Sequence, residues 1–89
     1  MSDARWRVEL TRPAQRDLRR LDPPIRRRVA EALDRLVGDA PAGDVVKLAG
    51  TDDEWRLRVG DWRVRFTRDP ATRTIHVTHI LPRGRAYRD

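Results

Sequence analysis

Four arginines, Arg56, Arg58, Arg63 and Arg65, stand at alternate positions on either side of a Gly60-Asp61 pair. Arginine keeps its charge throughout the physiological range and presents a planar fork of N–H donors that matches phosphate oxygens. Such side chains cannot accept a proton. They can bind a polyanion and stabilise the negative charge that builds on a phosphoryl group as it reacts.

The neighbours of these arginines dictate how they are held. Trp55, Leu57 and Val59 alternate with Arg56 and Arg58, and Trp62, Val64 and Phe66 alternate with Arg63 and Arg65. Period-two alternation on both sides of a glycine-first two-residue turn predicts a β-hairpin from Trp55 to Phe66. The turn length sets Val59 opposite Trp62, Leu57 opposite Val64 and Trp55 opposite Phe66. It therefore also sets Arg58 opposite Arg63 and Arg56 opposite Arg65, so that the guanidiniums share one face. Like charges in directly opposed pairs cost about 0.2–1 kcal/mol each. An anionic ligand is expected to offset them, since two nearby acids cannot serve four arginines; the alternative is that Glu54 and Asp52, further along that face, or a C-terminal carboxylate neutralise the patch.

The elements around the hairpin follow from the same patterning. Arg5 to Leu10 alternates with the period of a half-buried strand, turning Trp6, Val8 and Leu10 inward. Thr11 can cap a helix with Pro13 in its first turn and Ala14, Leu18 and Leu21 on one face. Asp22-Pro23 repeats the signal for a second, longer helix on which Ile25, Val29, Leu33 and Leu36 recur until Gly38, and the two helices are expected to form a helical hairpin. The opposite face of the second helix, with Arg26, Arg27, Arg28, Glu31, Asp34 and Arg35, has the composition of a solvated surface with ion pairs at helical spacing.

After a loop at Pro41 to Gly43, the stretch Val45 to Gly50 receives no assigned element. Arg73 to Leu81 is expected to form the last strand, with Ile75 and Val77 on one side and Thr78 and Ile80 near the other, which suggests a central position. Its exit adds Arg83, Arg85, Arg88 and a lone Tyr87, which can close over the basic patch. Trp6, Trp55 and Trp62 lie on the apolar phases of their strands and are expected in the core. The predicted architecture is α+β: one domain over residues 1–89, with two N-terminal helices on a small, mostly antiparallel four-stranded sheet in the order β-α-α-β-β-β.

Composition narrows the chemistry. A chain of 89 residues supports one core, and a net charge of +6 with a pI near 11.3 favours phosphate-rich or acidic partners. Of the 20 basic residues only Lys47 is lysine; codon bias explains that ratio but not the basic excess. There are no cysteines, and Ser2 is the sole serine. Thiolate chemistry and disulfides are thereby excluded, and a serine nucleophile is disfavoured. Asp52, Asp53 and Glu54 are adjacent and alternate sides of an extended chain, so no metal set has ligand spacing, and glycine-rich phosphate loops are absent. No apolar run reaches the length of a signal peptide or membrane span, which fits a cytoplasmic protein without a membrane partner.

The order strand, two helices, three strands carries a resemblance when taken with particular segments. These are Val46-Lys47-Leu48-Ala49-Gly50, then Trp55-Arg56-Leu57-Arg58-Val59-Gly60-Asp61-Trp62-Arg63-Val64, and finally Pro82-Arg83 and Ala86-Tyr87-Arg88. The chain resembles the RelE/ParE toxin superfamily from the helix of Ala14, Asp17 and Leu18 to Tyr87-Arg88. The resemblance implies a toxin of a type II toxin-antitoxin system. On the RelE branch this means an endoribonuclease that enters the ribosomal decoding site, cuts mRNA, and is silenced by a cognate antitoxin in a hetero-oligomer. Its chemistry is attack of a ribose 2′-hydroxyl on the adjacent phosphate, with neither metal nor cofactor.

Carried over by position, the resemblance gives Arg63 and Arg83 the scissile phosphate and Tyr87 a role in orienting a nucleotide or shifting a proton. Arg56 and Arg58, where the best-known relatives have lysines, would steer RNA, and Lys47, Arg65 and Arg85 complete the implied RNA-binding set. Because arginine is no general base, the proton acceptor stays open among Tyr87, His76, His79, Glu54 and groups of the RNA or ribosome. Pro82 stands where some relatives have a histidine. The ParE branch, which inhibits DNA gyrase, and a basic binding module without chemistry are the alternative readings.

Overall fold

A computed structural model of the protein describes residues 6–38, 45–48, 50 and 53–86, with side chains through residue 84. The chain runs β1 (Arg7–Leu10), α1 (Arg12–Arg20), α2 (Pro23–Leu36), β2 (Val45–Lys47), β3 (Glu54–Val59), β4 (Trp62–Asp69), β5 (Thr74–Pro82) and a short α3 (Arg83–Ala86). The strands form one sheet in the order β1-β5-β4-β3-β2. β1 runs parallel to β5, and every other pairing is antiparallel. The α+β class is as expected, but the sheet has five strands rather than four. The extra strand, β2, has only 3 residues and pairs at the edge through Val45↔Leu57 and Lys47↔Trp55. A run that short has no periodicity to read; its strand character comes from β3 beside it.

Local chemistry sets the helix starts. Thr11 Oγ1 accepts from the Ala14 amide at 3.3 Å, and Pro13 lies in the first turn, where an amide donor is not needed. Asp22 takes the cap position of α2 without a side-chain bond, so there the two prolines, preset near helical φ, carry the start. Both helices lie on one face of the sheet, α1 over β5 and β1, and α2 over β3. Between them and the sheet, Ala14, Leu21, Val29, Ala32 and Leu33 meet Leu57, Val64, Phe66, Ile75, Val77 and Ile80. Trp6, Trp55 and Trp62 pack against the margin of this core, half-buried as their strand phases require.

The last strand corrects one expectation. Ile80 joins Ile75 and Val77 in the core instead of facing away, because the β4–β5 register shifts by one residue between Arg65↔His79 and Phe66↔Val77. The extra residue is Thr78, whose hydroxyl donates to the Arg65 carbonyl at 3.1 Å. A β-bulge inverts the side-chain phase beyond it, so apolar residues of both sequence phases reach a single face. β5 is interior to the sheet, paired with β1 on one side and β4 on the other, and the bulge rather than a second apolar face accounts for its mixed apolar phases.

Beyond Leu10↔Val77 strand β1 ends, and α1 takes over the exposed edge of β5. The Thr11 hydroxyl donates to the Thr78 carbonyl at 3.2 Å, and Asp17 Oδ2 accepts from the Ile80 amide at 2.9 Å. These side chains satisfy backbone groups that a longer β1 would have paired.

Candidate functional site at the hairpin turn

The hairpin has the register expected of a two-residue turn, including Arg58↔Arg63 and Arg56↔Arg65. Gly60 adopts φ +58°, a left-handed conformation that costs glycine little, and this permits the tight reversal. The shared face is nevertheless not one uniform basic surface. Its arginines divide into two groups by what surrounds them.

At the turn, Arg63 is only 5% exposed. Its Nη1 donates to the carbonyls of Gly60 at 2.9 Å and Trp62 at 3.0 Å, pinning the turn from within. Its Nε is buried with no partner among the described residues. A buried guanidinium with an unmet donor is costly in a finished structure. The Asp61 carbonyl accepts from the Arg83 amide at 2.9 Å, which ties the start of α3 to the same turn. The result is an open depression of about 410 Å³ lined by Arg58, Gly60, Asp61, Arg63 and Arg83. Two residues twenty apart in sequence, Arg63 and Arg83, thus meet at one site because Pro82 pairs with Trp62 and places α3 beside the turn.

At the other end, Arg65 is bound to Glu54 at 2.8 Å, and its side chain is 15% exposed. Of the carboxylates considered as neutralisers of the patch, Glu54 pairs at this end, while Asp52 and the C-terminal residue lie outside the described residues. On the opposite face, the one that carries Trp55 and Phe66, Arg68 lies over the rings of Trp6 at 4.5 Å and Trp55 at 5.6 Å, and Lys47 lies 5.9 Å from Trp55. Lys47 and Arg65 therefore sit away from the depression, in contacts that hold the sheet together. Arg56, half-buried, stands between the two ends, directly opposite Arg65. The predicted positions Arg85 and Tyr87 lie outside the described side chains.

The open question of a proton acceptor narrows with this geometry. Glu54 is engaged by Arg65, and His76 stands beside Glu9 at 3.9 Å on the β1 side of the sheet. His79 faces Arg65 in register, away from the turn. Among the described residues Asp61 is the one acidic residue lining the depression, and no sequence spacing singled it out because its value as a turn residue explained it fully. Among the described residues no three His, Asp or Glu side chains gather as metal ligands. Among them also, no helix is long and apolar enough to cross a membrane.

A depression lined by three arginines on a tied-down turn can seat a phosphodiester, hold its oxygens in forked hydrogen bonds and stabilise added charge at phosphorus. Known proteins share the scaffold that builds this site. A chain of the archaeal RelE-RelB complex from Pyrococcus horikoshii OT3 is 33% identical, with a TM-score of 0.77 over 90% of this chain and 97% of that one. A chain of the RelBE2 toxin-antitoxin complex from Mycobacterium tuberculosis is 26% identical, with a TM-score of 0.77 over 89% and 99%. The isolated E. coli RelE toxin shares the fold at 14% identity, with a TM-score of 0.76 over 86% and 83%. A search of curated proteins gives no match. The model of the ParE toxin of the parDE type II toxin-antitoxin system matches residues 8–87. The chain belongs to this family: it is a type II toxin of the RelE/ParE superfamily, structurally close to RelE.

Proposed function

We propose that this toxin is an endoribonuclease that cuts mRNA on the ribosome, and that an antitoxin holds it silent. The observation that carries the reading is the depression at the hairpin turn, where Arg58, Arg63 and Arg83 converge. In the proposed reaction the ribose 2′-oxygen attacks the neighbouring phosphorus and the bond to the 5′-oxygen breaks. One fragment is left with a 2′,3′-cyclic phosphate and the other with a 5′-hydroxyl. Arg63 and Arg83 hold the phosphate and stabilise the charge that accumulates on its oxygens. Arg58, exposed at the rim, steers the polyanion, with Arg56 behind it. Asp61 takes the proton of the 2′-hydroxyl. Tyr87 keeps the role the resemblance gives it, orienting the nucleotide or returning a proton to the leaving oxygen. No step requires a metal or cofactor.

An antitoxin partner is supported by the two relatives named above, which were solved as RelE-RelB and RelBE2 toxin-antitoxin complexes. A basic toxin of charge +6 suits an acidic partner. DNA gyrase inhibition is the second reading, favoured by the match to the ParE model. A translating extract separates the two. Added protein is expected to produce new 5′ ends within ribosome-bound message, without added metal beyond what translation needs. Intact message together with lost supercoiling activity of purified gyrase would establish the second reading instead.

A further inference from the structure

The second helix contributes one arginine to the hairpin turn that helical patterning assigned to solvent. Arg28 lies one turn before buried Ala32 and next to buried Val29, at the margin of the apolar stripe that α2 lays over β3. Its guanidinium reaches the turn itself. A Cβ at position 60 would meet Arg28 Nη2 at 3.1 Å, Cζ at 3.7 Å and Nη1 at 3.8 Å. Glycine at this position thus meets two demands, the positive φ and the close approach of a cation from the helix side. Asp34 and Glu31 share the helix with Arg28, yet among the described residues no ion pair forms on α2.

Gly60 also lines the depression that holds Arg58, Arg63 and Arg83. Arg28 therefore reaches the same glycine that lines the phosphate site, without itself lining the depression. A guanidinium there increases the like-charge repulsion around the turn, which a single phosphate in the depression does not fully offset. A polyanion that passes over the turn does, because successive phosphates then meet cations on both sides.

We propose that Arg28 forms a second backbone-phosphate subsite, and that a single-stranded polynucleotide straddles the Gly60-Asp61 turn between it and the depression. The ligand class is a chain with at least two phosphates; a mononucleotide fills only the depression. This subsite rests on the nucleic-acid reading given above and extends it to a residue from another element.

The test compares binding of a short oligouridylate with binding of uridine 3′-monophosphate, using the full chain and its Arg28→Ala, Arg28→Lys and Arg83→Ala variants across a salt series. Arg28→Ala is expected to weaken oligouridylate binding about tenfold and to reduce the slope of log affinity against log salt by about 0.7, the value of one single-strand phosphate contact. Mononucleotide binding should stay within about twofold, and Arg28→Lys should restore the slope, because it keeps the charge. Arg83→Ala should weaken both probes. If Arg28→Ala leaves the oligouridylate slope unchanged, or weakens both probes equally, Arg28 is a brace for the turn and the subsite is refuted. If the full chain binds neither probe the subsite is refuted, and if it binds both with no loss in Arg83→Ala the depression is not the phosphate site and the nucleic-acid reading fails with it. Melting temperatures of the variants, expected to match the unaltered chain, separate lost contacts from lost folding.

Discussion

At the far end of the β3–β4 hairpin, Arg65 is locked to Glu54 at 2.8 Å and Arg68 is stacked over Trp6 at 4.5 Å. At the turn, Arg58, Arg63 and Arg83 gather around a depression with Asp61 as its carboxylate. Arg63 and Arg65 stand two residues apart on β4, yet Arg65 is taken up in structure while Arg63 lines the candidate site with Arg58 of β3 and Arg83 of α3. Partners make the difference. Arg65 and Arg68 have an acid or an aromatic face within reach and are absorbed into folding energy, whereas Arg63 is bound to carbonyls, which bring no opposite charge. Counting basic residues along a strand cannot distinguish these outcomes.

Substitutions can break this contrast, and the largest effect is expected at Arg63. Arg63→Ala should lower cleavage of ribosome-bound mRNA by about 100-fold or more, the usual consequence of losing one donor to a developing oxyanion. It should also reduce unfolding free energy by about 1–3 kcal/mol, since the Gly60 and Trp62 carbonyls lose their clamp. Urea denaturation beside single-turnover cleavage separates the two losses. Arg63→Lys should recover little, because an ammonium cannot hold two carbonyls and a phosphate in one plane.

Arg83→Ala sharpens the contrast by removing charge from an exposed position. Cleavage should fall about 10- to 100-fold, and stability should change by no more than about 0.5 kcal/mol. Asp61→Asn should reduce single-turnover cleavage by about 100-fold while oligonucleotide binding holds or tightens, as expected for loss of a proton acceptor beside a phosphate.

At the far end the balance should reverse. Arg65→Ala should cost about 1 kcal/mol of stability, reflecting a pair that is half-buried on the arginine side and more exposed on the carboxylate side. Its effect on cleavage should be smaller than that of Arg83→Ala. Arg68→Ala should cost about 0.5–1 kcal/mol through loss of its stacking on Trp6 and Trp55, with no change in cleavage.

Much of this arrangement could be read from residue order, for definable reasons. Alternation around Gly60-Asp61 specifies the hairpin and its register, because a two-residue turn leaves no freedom to slip. Thr11 with Pro13 specifies the start of α1 in the same local way. What escaped depends on contacts between distant segments. The 3 residues of β2 are a strand only through pairing with β3, and the phase of Ile80 depends on a bulge that is opposed to Arg65 across the sheet. For the site, convergence of Arg63 with Arg83 was implied by resemblance and follows here from Pro82 pairing with Trp62. The engagement of Arg65 by Glu54 was one of two options, and backbone periodicity does not say which cation a carboxylate selects. Arg28 was assigned to solvent because helical spacing reports position on a helix, not which neighbouring turn lies within reach of a long side chain.

Single-turnover cleavage of ribosome-bound mRNA by Arg83→Ala and Arg68→Ala, measured side by side, tests most directly that function resides at the turn end of the hairpin. The expected result is a loss of about 10- to 100-fold for Arg83→Ala, with Arg68→Ala within about twofold of the unaltered protein. Equal losses for the two variants, or undiminished cutting by Arg83→Ala, would contradict it.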